Sequence, residues 1–291
     1  MSAGDRPARW LVVELPVRDA LRYELSAALI ARGLSAVQET GTGVRVYLPG
    51  DERPVARIRE LLDALEQDVP DLDDADFEWR VEDDADWSTQ WREGLRARRV
   101  GERVWVAPSW SPADAEPDHI VVTVDPAMAF GTGEHGTTRG CIRLLERSGA
   151  HGLRVLDVGT GTGVLAVVAA RLGAREVLAV DNDVEATDNA VETVASNGVA
   201  DRVRVEQVEV DAGWLRASGS HDLILANVLS GVLRPLMPAF ADALTRPGRL
   251  ILSGILATEA DDMRAAAEAA GFRLLEEDRE AEWWSALLTI D

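Results

Sequence analysis

Three alternate glycines, Gly159, Gly161 and Gly163, follow an apolar run that ends at Val158 and contains one carboxylate, Asp157. Glycine tolerates the backbone dihedrals of a sharp turn from a strand into a helix and lets a ligand approach the backbone closely. The spacing is G-x-G-x-G, which differs from the G-x-G-x-x-G of dinucleotide-binding enzymes. The run indicates a nucleotide-type cofactor site, although a glycine turn without a ligand would give the same pattern.

A second carboxylate, Asp181, ends the next apolar run, twenty-two positions after Gly159. At the end of a second strand, a carboxylate can bond both hydroxyls of the ribose in an adenosine-containing cofactor. Asp157 inside the first strand, and the alternating strands and helices that follow, add to this pattern. The arrangement favours S-adenosylmethionine over NAD as the cofactor.

The segment 125–138 precedes the helix that leads into the first cofactor strand, and it combines glycines with hydroxyl, imidazole and carboxylate groups. Such a loop could fold over the methionine end of a cofactor. The alternative is a flexible loop that only caps a helix through Thr137 or Thr138. Within it, His135 is a candidate proton acceptor, and a role in fixing the loop is the other interpretation.

Asn227 ends an apolar segment that begins at Leu223. Ligands of open α/β sheets bind at the carboxyl edge of the strands. An amide carbonyl at that edge can accept a hydrogen bond from an incoming amine and orient its lone pair toward a sulfonium methyl group. The alternative is that Asn227 merely ends a strand in a turn.

Composition restricts the partners. The 291 residues include 30 basic and 51 acidic side chains, for a formal charge of −21, and every basic side chain is arginine. Phosphate backbones require a cationic surface, so direct nucleic-acid binding is not expected. The acidity fits either a basic protein partner or adaptation to high salt.

The single cysteine, Cys141, cannot form an intramolecular disulfide and is interpreted as a small apolar residue on a helix. One cysteine and four histidines offer no metal-ligand spacing, so no metal is predicted. The start of the chain is polar, and Glu14 interrupts the apolar stretch after it. This pattern is not that of a signal peptide or a membrane span, and it predicts a cytoplasmic protein.

The N-terminal part predicts a strand, helix, strand, strand, helix, strand order, which is typical of a small ferredoxin-like α+β module. We assign this domain to residues 1–85. A tryptophan-rich linker is predicted over residues 86–110, with its tryptophans expected to pack the connector onto the catalytic domain. From 111 to 291, alternating strands and helices predict an α/β domain with a doubly wound, mainly parallel sheet.

These features together resemble the ribosomal protein L11 methyltransferase family, bacterial enzymes that methylate a large-subunit ribosomal protein with S-adenosylmethionine. The stretches that carry the resemblance are Asp86-Trp87, Trp91 and Arg99-Val100-Gly101; Asp125-Pro126, Phe130-Gly131-Thr132-Gly133, His135 and Thr137-Thr138; Asp157-Val158-Gly159-Thr160-Gly161-Thr162-Gly163; Val180-Asp181-Asn182-Asp183; Ala226-Asn227-Val228-Leu229 and Gly231; and Leu252-Ser253-Gly254-Ile255-Leu256. They cover nearly the whole chain.

The resemblance implies a seven-stranded class I methyltransferase sheet, a substrate-recognising N-terminal domain and transfer of methyl groups to lysine or N-terminal amines of ribosomal protein L11. A monomer is expected. By motif match, Thr138, Gly159, Asp181 and Asn227 correspond to cofactor-contacting positions of the family. Gly161 is added from the glycine run, and Asn227 is also expected to orient the amine as the catalytic residue.

The family usually has threonine at the position of Glu134 and proline at that of Gly136, so the cofactor loop is where this chain departs most. Glutamine methyltransferases place Asn-Pro-Pro-Tyr after the fourth strand, whereas this chain has Asn227-Val228-Leu229-Ser230, which argues against an amide substrate. Two alternatives stay open. One is methylation of another protein or a small amine, and the other is a non-catalytic, ribosome-associated module that binds the cofactor.

Overall fold

The chain divides into two units, Met1–Leu95 and Arg96–Asp291. The computed structural model describes residues 9–32, 34, 36–49, 53–65, 77–83, 96–125 and 135–291. Within these ranges, no helix is both long enough and apolar enough to cross a membrane.

The N-terminal unit contains a four-stranded antiparallel sheet. Its elements in chain order are β1 (Arg9–Pro16), α1 (Asp19–Ala31), β2 (Val37–Glu39), β3 (Gly43–Pro49), α2 (Pro54–Leu65) and β4 (Glu78–Asp83). The strands lie in the order β2-β3-β1-β4. Alternate residues of β1 and β3, such as Leu11, Val13 and Val46, are fully buried in one core with α2 side chains. This arrangement confirms the predicted ferredoxin-like module.

The second unit begins with a three-stranded sheet of β5 (Arg98–Arg99), β6 (Val104–Ala107) and β7 (Ile120–Thr123). Two of these strands fall in the C-terminal part of the segment predicted as a linker, and Trp87 and Trp91 lie outside the described residues. Asn197 holds β7 in place, since its side chain accepts a hydrogen bond from the Thr123 amide (2.8 Å) and donates one to the Thr123 carbonyl (2.7 Å). The linker boundaries stay a prediction.

The main sheet of the second unit has seven strands. They are β8 (Arg154–Val158), β9 (Glu176–Asp181), β10 (Val203–Gln207), β11 (His221–Asn227), β12 (Leu244–Leu256), β13 (Arg273–Glu280) and β14 (Trp283–Ile290). Their order is β10-β9-β8-β11-β12-β14-β13. The first five strands are parallel, and β14 is antiparallel to both of its neighbours.

Helices cover both faces of this sheet. They are α3 (Gly136–Ser148), α4 (Val164–Arg171), α5 (Val184–Ser196), α6 (Ala212–Ala217), α7 (Ser230–Ala243) and α8 (Ala260–Ala269). Side chains of α3, α4 and α5 share one apolar core, and those of α6, α7 and α8 share another on the opposite face. The predicted doubly wound, mainly parallel sheet is therefore confirmed. Strands β12 and β13 extend beyond their apolar centres, where they continue to pair with β14.

Candidate active site

The glycine turn joins β8 to α4 at the carboxyl edge of the main sheet. Gly159, Gly161 and Gly163 have φ values of 69°, 55° and 81°, which L-residues with a Cβ adopt at a cost. The amides of Gly159 and Thr160 both donate to the Val180 carbonyl, at 2.9 and 3.0 Å. The turn is thereby fixed to the end of β9.

Space also requires glycine at the first position of the turn. A Cβ on Gly159 would lie less than 3.0 Å from Cγ1 of Val228, the residue that follows Asn227. The backbone of Val228 also lies against Gly254, where a Cβ would again come closer than 3.0 Å. The turn after β11 is therefore held between the glycine turn and the end of β12.

Asp181, at the end of β9, connects the glycine turn to the start of α5. Its Oδ2 accepts a hydrogen bond from the Gly161 amide (2.9 Å), and its Oδ1 accepts one from the Asp183 amide (3.1 Å). Asp183 in turn caps α5 by accepting from the Glu185 amide (2.9 Å). A carboxylate offers about four lone-pair sites, so each Asp181 oxygen retains acceptor capacity for a ribose hydroxyl.

Asp157 lies beneath the glycine turn and is fully buried. Its Oδ2 accepts a hydrogen bond from the Thr160 hydroxyl (2.7 Å), while Oδ1 has no hydrogen-bond partner among the described residues. Burial raises the pKa of Asp157 to about 7, against the opposing effect of the Thr160 hydrogen bond. This buried carboxyl supports the turn from inside the protein.

Asn227 and Thr138 meet across the sheet edge. The Asn227 side-chain amide donates to the Thr138 hydroxyl at 3.5 Å, and Thr138 itself is buried. The Asn227 carbonyl oxygen, Oδ1, is buried and has no hydrogen-bond partner among the described residues. Leaving a buried acceptor unpaired costs about 1–3 kcal/mol. An acceptor of this kind is therefore a candidate position for a bond to a ligand.

His135 caps α3. Its Nδ1 accepts a hydrogen bond from the Thr137 amide (3.4 Å) and lies 2.7 Å from the Thr137 hydroxyl. The ring also packs against Trp283, with centroids 4.7 Å apart. Burial and the nearby Arg139 charge lower the pKa of His135. This geometry makes His135 the cap of the helix, whereas the alternative interpretation of the loop had placed the cap at Thr137 or Thr138.

A row of arginines on helix α3 forms ion pairs with a row of carboxylates on β13. We call this set the arginine ladder; it consists of Arg139, Arg143 and Arg147 with Glu280, Asp278 and Glu276. Every fourth helix residue advances about 6.0 Å, and every second strand residue about 6.6–6.8 Å. The two rows of charge therefore stay in register along the helix. Arg143 Nε donates to Asp278 (2.9 Å), and its Nη2 donates to Glu280 (2.8 Å).

The structure brings the predicted site residues together in two groups. Gly159, Gly161 and Asp181 form the glycine turn, and Thr138 and Asn227 form a pair connected to that turn through Val228. Residues 126–134, including Glu134, lie outside the described residues. Gly136 begins α3 beside Trp283, where a Cβ would lie 3.1 Å from Cδ1, so the indole occupies part of the space that a proline ring would need.

Two further residues, Cys141 and Asp211, have structural positions outside the site. Cys141 is fully buried in α3, and burial raises the pKa of its thiol, which confirms a small apolar role. Asp211 caps the short helix α6 through the Trp214 amide (2.6 Å). The sequence did not reveal this cap, although an aspartate directly before a helix is its usual signal.

The strand order and the glycine turn define a class I methyltransferase. The order matches the 3-2-1-4-5-6 arrangement of nucleotide-binding sheets, except that an antiparallel last strand is inserted before the sixth. The family model described as "Ribosomal protein L11 methyltransferase (PrmA)" matches residues 26–289. The chain belongs to this family.

Relatives and a solved structure agree with the family model. The chain is 40% identical over 253 residues to a ribosomal protein L11 methyltransferase from Pelotomaculum thermopropionicum, covering 85% of this chain and 81% of that protein. It is 38% identical over 261 residues to the one from Chloroflexus aurantiacus, covering 82% and 80%. A crystal structure of a ribosomal protein L11 methylase from Lactobacillus delbrueckii subsp. bulgaricus is similar with a TM-score of 0.59 and 31% identity, covering 66% of this chain and 97% of that one.

The residues fit S-adenosylmethionine, the cofactor of this class. Asp181 retains acceptor sites for the ribose, the glycine turn exposes backbone without side chains, and Asn227 Oδ1 is an acceptor that the protein leaves unpaired within the described residues. These groups lie at the carboxyl edge of the central strands, where open α/β sheets bind their ligands.

Proposed function

We propose that the protein transfers the methyl group of S-adenosylmethionine to lysine or N-terminal amines of ribosomal protein L11. Family membership supports the substrate, since the relatives carry that name. The observation that carries the chemistry is the buried Oδ1 of Asn227 near the glycine turn, which has no hydrogen-bond partner in the part of the chain that the structure describes. An amine N–H would complete this acceptor, and the bond would direct the nitrogen lone pair toward the methyl group.

Each residue has a defined task in this proposal. Asp181 binds the ribose, Gly159 and Gly161 admit the cofactor, and Thr138 contacts its amino-acid end. The cofactor supplies an activated methyl group, and the protein supplies position, so most of the rate gain comes from proximity and orientation. Asn227 holds the amine in line with the methyl group.

The amine must be neutral when it reacts. A buried ammonium group loses its proton more easily than one in water, because desolvation disfavours the charged form. Asn227 orients the neutral amine, since its carbonyl accepts from one N–H and leaves the nitrogen lone pair free. His135 acts in this scheme as the cap of α3, whose ring position fixes Thr137 and hence Thr138.

The N-terminal unit completes the proposal. We assign residues 1–85 to recognition of the ribosomal protein and residues 111–291 to catalysis, with 86–110 as the linker between them. The protein is proposed to act as a monomer in the cytoplasm and to need no direct contact with nucleic acid, in keeping with its charge of −21.

The test uses the full-length protein, purified ribosomal protein L11 and labelled S-adenosylmethionine. Asp181→Ala should weaken equilibrium cofactor binding by tenfold or more, whereas Asn227→Ala should bind the cofactor normally and lose methyl-transfer rate. Asn182→Ala is the matched control, because this exposed amide neighbours Asp181. Unchanged binding and activity in the two site variants would refute the assigned site.

The substrate is tested separately. Lysate from a strain that lacks the enzyme is incubated with the protein and labelled cofactor, and the labelled species is identified by mass. Label in ribosomal protein L11, at lysine or at the N-terminus, is expected. Label confined to another protein, to nucleic acid or to small molecules would overturn the substrate assignment while leaving the cofactor site intact.

A further inference from the structure

Two buried serine hydroxyls lie between the start of α3 and the main sheet. Ser253 on β12 is fully buried, and Ser285 on β14 is nearly so. The Ser253 hydroxyl donates to the Thr137 carbonyl at 3.1 Å and lies 2.7 Å from the Ser285 hydroxyl. Since the Ser253 proton is directed at the carbonyl, the Ser285 hydroxyl is the donor in the second bond.

The helix lies unusually close to these strands. A Cβ on Gly140, one turn along α3, would come closer than 3.0 Å to the Ser285 hydroxyl oxygen and within 3.1 Å of its Cβ. Glycine at this position permits the approach that brings the Ser253 hydroxyl within bonding distance of the Thr137 carbonyl. The contact therefore fixes the position of the helix start relative to β12 and β14.

The first turn of α3 and Ser253 both adjoin Asn227. Ser253 is the register partner of Asn227 on the neighbouring strand. Thr137, whose carbonyl Ser253 binds, precedes Thr138, whose hydroxyl accepts the Asn227 side-chain N–H at 3.5 Å. A hydroxyl can donate as well as accept, so this contact holds the Asn227 side chain in place whichever end of the amide faces Thr138.

We propose that Ser253, supported by Ser285, is a positioning residue that sets Thr138 against Asn227 and so holds the Asn227 side chain where its amide reaches the reacting amine. The inference rests on the proposed function of Asn227. Without the Ser253 hydroxyl, the first turn of α3 loses its link to β12. The Asn227 side chain then loses its fixed contact and spends part of its time in positions from which its amide does not reach the amine.

The test is a double-mutant cycle of Ser253→Ala and Asn227→Ala, measured as single-turnover methylation of ribosomal protein L11 at saturating S-adenosylmethionine. We expect Ser253→Ala to lower the rate about tenfold, within the range that small misplacements of reacting groups produce, and to change the cofactor dissociation constant much less. In the Asn227→Ala background it should have no further effect, because a residue that acts through another is not additive with it.

Ser148→Ala is the matched control, since Ser148 bonds the Leu145 carbonyl at the far end of the same helix, and its rate should equal that of the wild type. If Ser253→Ala does not fold, Ser285→Ala takes its place in the cycle with the same expectation. A rate loss that adds fully to that of Asn227→Ala, or no loss at all, would overturn the positioning role. An Asn227→Ala variant that keeps its full rate would instead refute the proposed function of Asn227.

Discussion

Replacing Gly159 by alanine tests the contact between the glycine turn and Val228, the residue that follows Asn227 at the end of β11. The new Cβ is expected to cost stability in two ways. A φ of 69° costs an L-residue roughly 1–2 kcal/mol. The contact with Val228 Cγ1, closer than 3.0 Å, adds the penalty of overpacking, about 1–3 kcal/mol. The sum is about 2–5 kcal/mol.

A control and a rescue separate the two terms. Gly198 has a φ of 64° and nothing within 4 Å of the Cβ position, so Gly198→Ala should show only the backbone term. Val228→Ala removes the clashing methyl group, and the next nearest atom to the new Cβ is Val228 Cβ at 3.8 Å. In that background, Gly159→Ala should cost no more than Gly198→Ala.

Urea unfolding gives the free energies, and equilibrium binding of S-adenosylmethionine is measured on the same four variants. Gly159→Ala should weaken cofactor binding, because Val228 and the glycine turn can no longer occupy their native positions together. The reasoning is wrong if Val228→Ala relieves none of the penalty, or if Gly159→Ala costs the same as Gly198→Ala.

Three further predictions concern pH. Burial raises the pKa of Asp157 from 3.8 to about 7, so the stability that protonated Asp157 contributes is present below pH 3.8 and is lost as the pH rises through 7. Asp157→Asn should remove this part of the pH dependence of the free energy of unfolding in urea. Wild type and variant that differ by the same free energy at every pH in this range would contradict the prediction. Burial lowers the pKa of His221 to about 4, so the stability that neutral His221 contributes is present above pH 6.5 and is lost as the pH falls toward 4. His221→Phe should flatten the dependence of the free energy of unfolding on pH between these values. A dependence parallel to that of the wild type would rule the effect out. Burial raises the pKa of Asp278, but the hydrogen bond and charge of Arg143 outweigh burial, so the pKa lies below its ordinary value. Arg143→Ala should therefore move the midpoint of acid unfolding, followed by circular dichroism, to a higher pH. An unmoved midpoint would show that the pair is not coupled to folding.

Local chemistry made much of the site predictable. The glycine spacing anticipated the positive φ values of Gly159, Gly161 and Gly163, since few other residues tolerate such a turn. The strand ends at Asp181 and Asn227 were visible because buried parallel strands are apolar runs that stop at polar residues. Parallel strands end at one edge of a sheet, so these two residues were expected at a common site.

Long-range pairing was not predictable in the same way. The arginine ladder joins α3 to a strand about 130 to 140 positions later, and neither row of charge indicates its partner. The bond from Ser253 to Thr137 depends on strand register and on how closely the helix approaches, which one sequence does not specify. His135 was expected near the loop, but its capping role depends on the position of Trp283 in the last hairpin.

Under the proposed transfer of methyl groups to amines, the arginine ladder has a chemical consequence. A guanidinium can bond two carboxylates at once in a planar fork, as Arg143 does with Asp278 and Glu280. Lysine would hold the helix less firmly and would also bring a primary amine close to the transfer site. Because all 30 basic side chains are arginine, the protein has no side-chain amine of its own that it could methylate, and self-modification of its side chains does not compete with its substrate.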